Sequence, residues 1–124
     1  MRIGATTNLV IPCSEDFDVS LVDDVIFYLQ TETKTIEKVY KDGSDVTFDD
    51  TEKQFIVPLY QQDTMDLSKG EPCLCKFEAQ VNYADKSVGK SKIITIKLEP
   101  SLGNTIIVGN KPSETQRTVL DMKL

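Results

Sequence analysis

The sequence lacks two residue types on which much of protein chemistry depends. Its 124 residues include no histidine and no tryptophan. Without histidine, the Ser-His-Asp and Cys-His nucleophile systems, zinc sites that need an imidazole ligand and proton transfer by imidazole near neutral pH are excluded. Without tryptophan, and with only four tyrosines, the aromatic platforms that sugar-binding sites favour are scarce. We therefore expect a protein that is not an enzyme.

Basic charge is also in short supply. The chain has 14 Lys and Arg against 20 Asp and Glu, a net charge of −6 and a pI near 4.6. No basic stripe offsets this charge, so we expect neither nucleic acid nor an anionic membrane surface as a partner. No apolar run approaches the roughly twenty residues that span a bilayer. Met1 to Val10 is too polar for a signal-peptide core, which predicts a protein that stays in the cytoplasm.

Cysteine is rare, and its three copies are Cys13, Cys73 and Cys75. An odd number in a chain without export features predicts reduced thiols. A closed zinc site needs four ligands, and three thiolates without histidine fall one short. A disulfide between Cys73 and Cys75, two apart on one strand, would be strained. We therefore interpret the cysteines as buried thiols, and the sequence predicts no metal and no cofactor.

The hydrophobic pattern has a period of two, as in half-buried β-strands, over most of the chain. It is clearest in Cys73 to Tyr83, which with Lys92 to Leu98 predicts a long antiparallel hairpin. Proline within Gln54 to Tyr60 predicts an edge strand there. Asp16 to Asp24 and Gln61 to Lys69 are typical of short helical connectors. The sequence thus predicts one all-β domain, an immunoglobulin-like antiparallel β-sandwich of about seven strands.

The end of the chain changes character after Pro100. The predicted strands are complete by then, and Gly103, Gly109 and Pro112 interrupt the remaining residues. We therefore predict a β-sandwich domain over residues 1–110 and a C-terminal tail over residues 111–124. The tail is expected to bind a partner chain by helix-in-groove docking or strand addition, through Val119, Leu120, Met122 and Leu124.

Two polar segments invite functional interpretations. Ala84 to Ser91 fits a permissive form of the phosphate-binding loop, but the period-two segment after it does not supply the helix N-terminus that phosphate binding needs. We predict a polar hairpin loop and no nucleotide. The aspartates at 23, 24, 42, 45, 49 and 50 suggest a calcium site or a glycosidase pair, but their spacing is too sparse for a calcium loop. Solvated loop ends explain them better.

Five short motifs occur in order along the chain: Met1 to Thr7, Phe17 to Leu21, Tyr28 to Gln30, Gln61 to Met65 with Lys69-Gly70, and Glu78 to Val81. In their order and spacing they resemble a family of small proteins from phages and prophages of Gram-positive bacteria. Members of that family commonly open with Met-Arg-x-Arg-Gly-Thr-Thr-Pro and carry a Phe-Asp-x-Ser-Leu connector.

The resemblance implies a virion structural or assembly component of the tail or baseplate. Its partners would be other virion or tail proteins and further copies of itself, and it would be found in the virion and, during assembly, in the host cytoplasm. The alternative function is a carbohydrate- or calcium-dependent module that binds a host surface through its loops.

Overall fold

The computed structural model describes residues 1–68, 71–103, 105–107 and 109–124. Within these residues the chain forms nine strands, a single 3₁₀ turn at Val19–Leu21 and one α-helix, α1, at Gln61–Ser68. The strands are β1 Thr7–Pro12, β2 Val22–Gln30, β3 Thr35–Tyr40, β4 Thr47–Asp49, β5 Gln54–Leu59, β6 Cys73–Tyr83, β7 Val88–Lys90, β8 Ile94–Leu98 and β9 Arg117–Val119.

The strands form two sheets. The first sheet has the order β4-β5-β1-β9, and the second has the order β3-β2-β6, with β7 and β8 both paired to the far side of β6. Neighbouring strands are antiparallel except β1 and β9, which run parallel. The prediction of an all-β fold built from two packed sheets is confirmed. The sequence predicts a sandwich that is antiparallel throughout with about seven strands, whereas the described residues form nine strands, and β9 runs parallel to β1.

The core lies between the sheets and is centred on Phe55 of β5. Its ring contacts four other aromatic rings, at centroid distances of 4.9 to 5.7 Å. One of these rings, Phe27 of β2, comes from the second sheet and lies 5.4 Å away at 62°. Edge-to-face aromatic pairs of this kind add roughly 0.5–1.5 kcal/mol each beyond the area they bury. This cluster joins the inner faces of the two sheets.

The long hairpin is confirmed, with an interruption in its returning strand. Gln80 pairs with Lys90, and Phe77 pairs with Ile94. Between these pairs β6 has two residues, 78 and 79, whereas the returning strand has three, 91 to 93, and this is the arrangement of a β-bulge. The bulge turns the backbone N–H of Lys92 away from β6, and it donates to the carbonyl of Met122 at 2.8 Å.

The prediction that β5 is an edge strand is wrong, since β5 lies between β4 and β1. Pro58 is tolerated there because of its register. Pro58 is paired with Asn8 of β1, and the N–H of Asn8 points away from β5, to the carbonyl of Gln116. In an antiparallel pair of this kind both backbone nitrogens point outward, so the nitrogen of Pro58 points away from β1, towards the β4 side. No residue of β4 lies beside Pro58, because the pairing between β4 and β5 extends only as far as Ile56. No ladder hydrogen bond is lost.

Both predicted connectors contain helical structure. Asp18 caps the 3₁₀ turn by accepting from the backbone N–H of Ser20 at 3.0 Å, and β2 begins directly after it. The second connector is α1, whose predicted last residue, Lys69, lies outside the described residues, as does Gly70. No helix in the described part of the chain is long and apolar enough to cross a membrane.

The prediction that residues 111–124 lie outside the sandwich is wrong. β9 adds to the first sheet, and after it Leu120 and Met122 are only 2% and 1% exposed within the core. Leu124 packs against the same core, while Val119 is 64% exposed. The prediction fails because the strand set is not complete at Leu98, where the position beside β1 is still open. In this monomer, therefore, only Val119 of the four predicted partner-binding residues is exposed to a partner.

Candidate interaction surfaces

An exposed apolar loop stands out on the surface. Residues 100–110, here called the apolar loop, carry no Lys, Arg, Asp or Glu in a chain that is 27% charged. Among the described residues of this loop, Leu102 is fully exposed, and Ile106 and Ile107 are also exposed. Single exposed apolar side chains are common, but three in one uncharged segment are typical of a surface that contacts another macromolecule.

Gln61, the first residue of α1, holds the apolar loop in place. Its side-chain Nε2 donates to the carbonyl of Thr105 at 2.7 Å, and its Oε1 accepts from the N–H of Ile107 at 3.0 Å. Its backbone N–H donates to Oδ1 of Asn110 at 2.9 Å. Gln61 is itself buried, at 8% exposure. These three hydrogen bonds therefore link the helix to Thr105, Ile107 and Asn110, beside the exposed side chains of Ile106 and Ile107.

The helix is in turn fixed to the second sheet by a partly buried ion pair. Nζ of Lys38 on β3 lies 2.8 Å from Oδ2 of Asp63, and both side chains are largely shielded from solvent. The same carboxylate accepts from the backbone N–H of Tyr60 at 2.8 Å, and Lys38 lies 5.0 Å from the centroid of the Tyr60 ring. The sequence predicts this helix only as a connector. The structure shows that it positions the apolar loop relative to β3.

Three of the six aspartates that suggested a calcium site, Asp24, Asp45 and Asp49, accept hydrogen bonds from other residues. Asp45 accepts from the hydroxyl of Tyr60 at 2.7 Å, and this hydrogen bond raises the pKa of Tyr60 to about 12. Asp49 closes a turn by accepting from the backbone N–H of Thr51 at 3.0 Å. Among the described residues, no three His, Cys, Asp or Glu side chains are grouped so that they could hold a metal ion.

The segment that resembles a phosphate-binding loop is a hairpin turn followed by β7, as predicted. Within the turn, Asp85 accepts from the hydroxyl group of Ser87 and from its backbone N–H at 2.9 Å, and these two hydrogen bonds, the first more than the second, lower the pKa of the carboxyl group. Lys90 lies on β7, with its Nζ 3.8 Å from Oε1 of Glu78. A strand therefore comes after the turn, where phosphate binding would need a helix N-terminus.

All three cysteines are free thiols, as predicted, and Cys75 is fully buried. Burial raises the pKa of Cys13 to about 11 and that of Cys75 to about 12. Thiols with pKa values this high are almost entirely protonated at neutral pH, and the thiolate is the reactive form. Cys75 is part of the core and Cys13 packs against it, as expected of protonated thiols.

The outer face of the second sheet carries an open depression of about 320 Å³. Its lining mixes both signs of charge with one aromatic ring, from Tyr28: Tyr28, Gln30, Thr35, Lys76, Glu78, Lys90 and Ile93. A sugar-binding site usually stacks its ligand on aromatic rings, and a single tyrosine among mutually neutralising charges offers little selectivity. This depression therefore does not favour the carbohydrate-binding alternative.

Among the described residues, the apolar loop is the surface feature that most resembles an interface, and β9 is one of the strands at a sheet edge, with β4 at the other end of the same sheet. The resemblance to phage proteins remains a prediction. Comparison of the chain with protein-family models, with curated proteins and with solved structures found no match.

Proposed function

We propose that this protein is a structural or assembly module of a phage virion, in the tail or baseplate, that acts through protein–protein contacts. The apolar loop is the observation that carries the proposal, because it exposes Leu102, Ile106 and Ile107, and Gln61 holds the backbone beside the two isoleucines. Side chains on backbone that is already held in place lose less conformational freedom on binding, so they suit docking into a neighbouring subunit. The motifs that resemble phage proteins support the setting.

The strand order supports an immunoglobulin-like arrangement as part of this proposal. In an immunoglobulin sandwich, strands A, B, E and D form one sheet, and strands C, F and G form the other. If β1 is taken as strand B, the second sheet reads C-F-G through β2, β6 and β7/β8, with β3 as an added strand beside C. The first sheet then reads B-E-D through β1, β5 and β4. The place of strand A is taken by β9, from the other end of the chain and in parallel orientation.

Incorporation into particles tests this function. The tagged chain is expressed in a Gram-positive lysogen that carries its gene, the prophage is induced, and particles are purified on a density gradient. We expect the protein in the particle fraction by quantitative mass spectrometry. A Leu102→Ser/Ile107→Ser variant should fold normally, because both side chains are exposed, but should be depleted from particles.

Leu74→Ser is the matched control. Leu74 is also an exposed large apolar residue, at 61%, but it lies on β6 rather than in the apolar loop. It should be incorporated like the unmodified chain. Absence of the unmodified protein from purified particles would refute the assembly role, and equal incorporation of the loop variant would show that the loop is not the docking surface.

A further inference from the structure

The last residues of the chain are bound along β1 like an added strand. Residues 116–124, here called the C-terminal segment, begin where the carbonyl of Gln116 accepts from the N–H of Asn8 at 2.9 Å. The N–H of Leu120 then donates to the carbonyl of Val10 at 2.9 Å, and the backbone N–H of Ser14 donates to the carbonyl of Leu124 at 2.7 Å. Backbone pairing with the C-terminal segment therefore covers Asn8 to Val10 of β1, and a further hydrogen bond is made at Ser14, just beyond β1.

The C-terminal segment also fills part of the core. Leu120 and Met122 are 2% and 1% exposed and belong to the same cluster as Leu9 and Ile11 of β1. Without this segment, residues 1–98 would expose an apolar groove beside β1. The position is that of an edge strand, because β9 pairs with β1 and with no other strand in the described part of the chain.

A long connection separates this segment from the rest of the domain. β8 ends at Leu98 and β9 begins at Arg117, and the described residues between them form neither helix nor strand apart from an isolated bridge at Glu99. Sixteen residues, 100 to 115, can span about 50 Å when extended. A domain of this length has a radius of gyration of only about 14 Å. The connection is therefore long enough to reach the same groove on a touching copy.

From these observations we infer that the groove beside β1 also accepts the C-terminal segment of a second copy of this chain, so that neighbouring copies exchange these segments. Exchange preserves the contacts of the segment, because the same side chains and backbone groups meet in the same register. Exchange changes which chain supplies the segment, and it also requires the apolar loop, which lies in the connection, to leave its hydrogen bonds to Gln61 so that the connection can extend. Each groove should therefore bind the segment of its own chain at low protein concentration. The segment of another chain competes only when the protein concentration approaches the effective concentration of the tethered segment, about 1 mM for a flexible connection.

The inference depends on the proposed function in one respect, because an assembly would bring copies of the chain together at concentrations near about 1 mM. The exchange itself can be tested on the purified protein. Two differently marked chains detect it. Both carry Cys13→Ser and Cys73→Ser and keep Cys75, which is fully buried. One chain also carries Thr7→Cys and the other Thr118→Cys, at positions whose hydroxyl groups are 2.9 Å apart in the structure.

The mixed chains are unfolded in urea, refolded together at about 1 mM and oxidised. A covalent heterodimer on a non-reducing gel requires the segment of one chain to lie on β1 of the other. A chain that carries both cysteines should close an intramolecular disulfide when refolded dilute, which checks the geometry of the pair. The matched control replaces Thr7→Cys with Thr95→Cys, an exposed position on β8 in the second sheet.

Exchange predicts a heterodimer well above the Thr95→Cys control, with a yield that falls on refolding below about 0.1 mM. The unmodified chain refolded at high concentration should also show a species of twice the monomer mass by light scattering, with an unchanged far-UV spectrum. If the double-cysteine chain closes, yet the heterodimer stays at the control level and the unmodified chain is entirely monomeric, the exchange is refuted. Incorporation into particles would be unaffected by that result, so the two proposals fail separately.

Discussion

Truncating Leu120 to alanine should strongly destabilise the protein, although this residue is close to the end of the chain. Leu120 is 2% exposed and belongs to the main core cluster. Leucine-to-alanine substitutions at such positions cost about 2–5 kcal/mol, because the lost transfer free energy adds to that of the cavity left behind. A domain of ordinary stability has about 5–15 kcal/mol in total. The substitution should therefore remove a large share of the free energy of unfolding.

The neighbouring residue provides a matched control. Val119 is 64% exposed, so Val119→Ala should change the free energy of unfolding by no more than about 0.5 kcal/mol. Unfolding in urea can be followed by far-UV circular dichroism and tyrosine fluorescence, since the chain has no tryptophan. With a denaturant slope of about 1.5 kcal/mol/M, Leu120→Ala should lower the urea midpoint by about 1–3 M.

The contrast between the two substitutions decides the question. Equal midpoints for Leu120→Ala, Val119→Ala and the unmodified chain, with equal slopes, would mean that the C-terminal segment does not pack in the core. A free tail over residues 111–124 would then be the better description. Met122→Ala repeats the test at a residue that is 1% exposed, and the same loss is expected there.

Three further predictions concern other parts of the molecule. Gln61→Ala should lower the free energy of unfolding by about 1–3 kcal/mol and speed hydrogen exchange of the amides in the apolar loop. Gln62→Ala, at the exposed neighbouring position, should do neither. Equal exchange rates in the two variants would contradict the anchoring role of Gln61. Folding raises the pKa values of Cys13, Cys75 and Tyr60, so the folded state favours their protonated forms. The stability that these three groups contribute is therefore present below about pH 9 and should be lost as the pH rises from about 9 to 12. A urea midpoint that stays constant over that range would contradict this prediction. At pH 8 a thiol reagent should modify Cys75 only as fast as the protein unfolds, and a rate independent of added urea would show that the thiol is accessible.

The sequence is most informative where one strand face is buried. In β6 the buried residues Cys75, Phe77, Ala79 and Val81 alternate with more exposed ones, so the period of two is visible without any tertiary information. The short strand β9 carries no such signal. It has three residues, with an exposed valine, and it is a strand because β1 offers it a free edge. A pattern of that length cannot be distinguished from a loop.

The candidate surface is only partly predictable, for a similar reason. Nothing in the sequence separates Gln61 from Gln62, yet the first is buried against the apolar loop and the second faces solvent. The difference depends on the direction in which α1 leaves β5, which is a property of the folded chain. Pro58 is misleading in the opposite way. Proline avoids central strands because it has no N–H to donate to a neighbouring strand. In β5 the register leaves no strand on the side that the nitrogen of Pro58 faces, so no hydrogen bond is needed there.

The parallel pairing of β1 and β9 also determines how the molecule would respond to mechanical force. Residues that precede β1 leave from one end of this pair of strands, and Leu124 lies at the other, bonded to Ser14 just beyond β1. Pulling on the two termini would therefore slide one strand along the other. The hydrogen bonds from Asn8 to Gln116 and from Leu120 to Val10 would be loaded together, in shear, instead of opening one after another as in a hairpin that is unzipped. Extension along the line that joins the two ends of this pair therefore has to break these hydrogen bonds together.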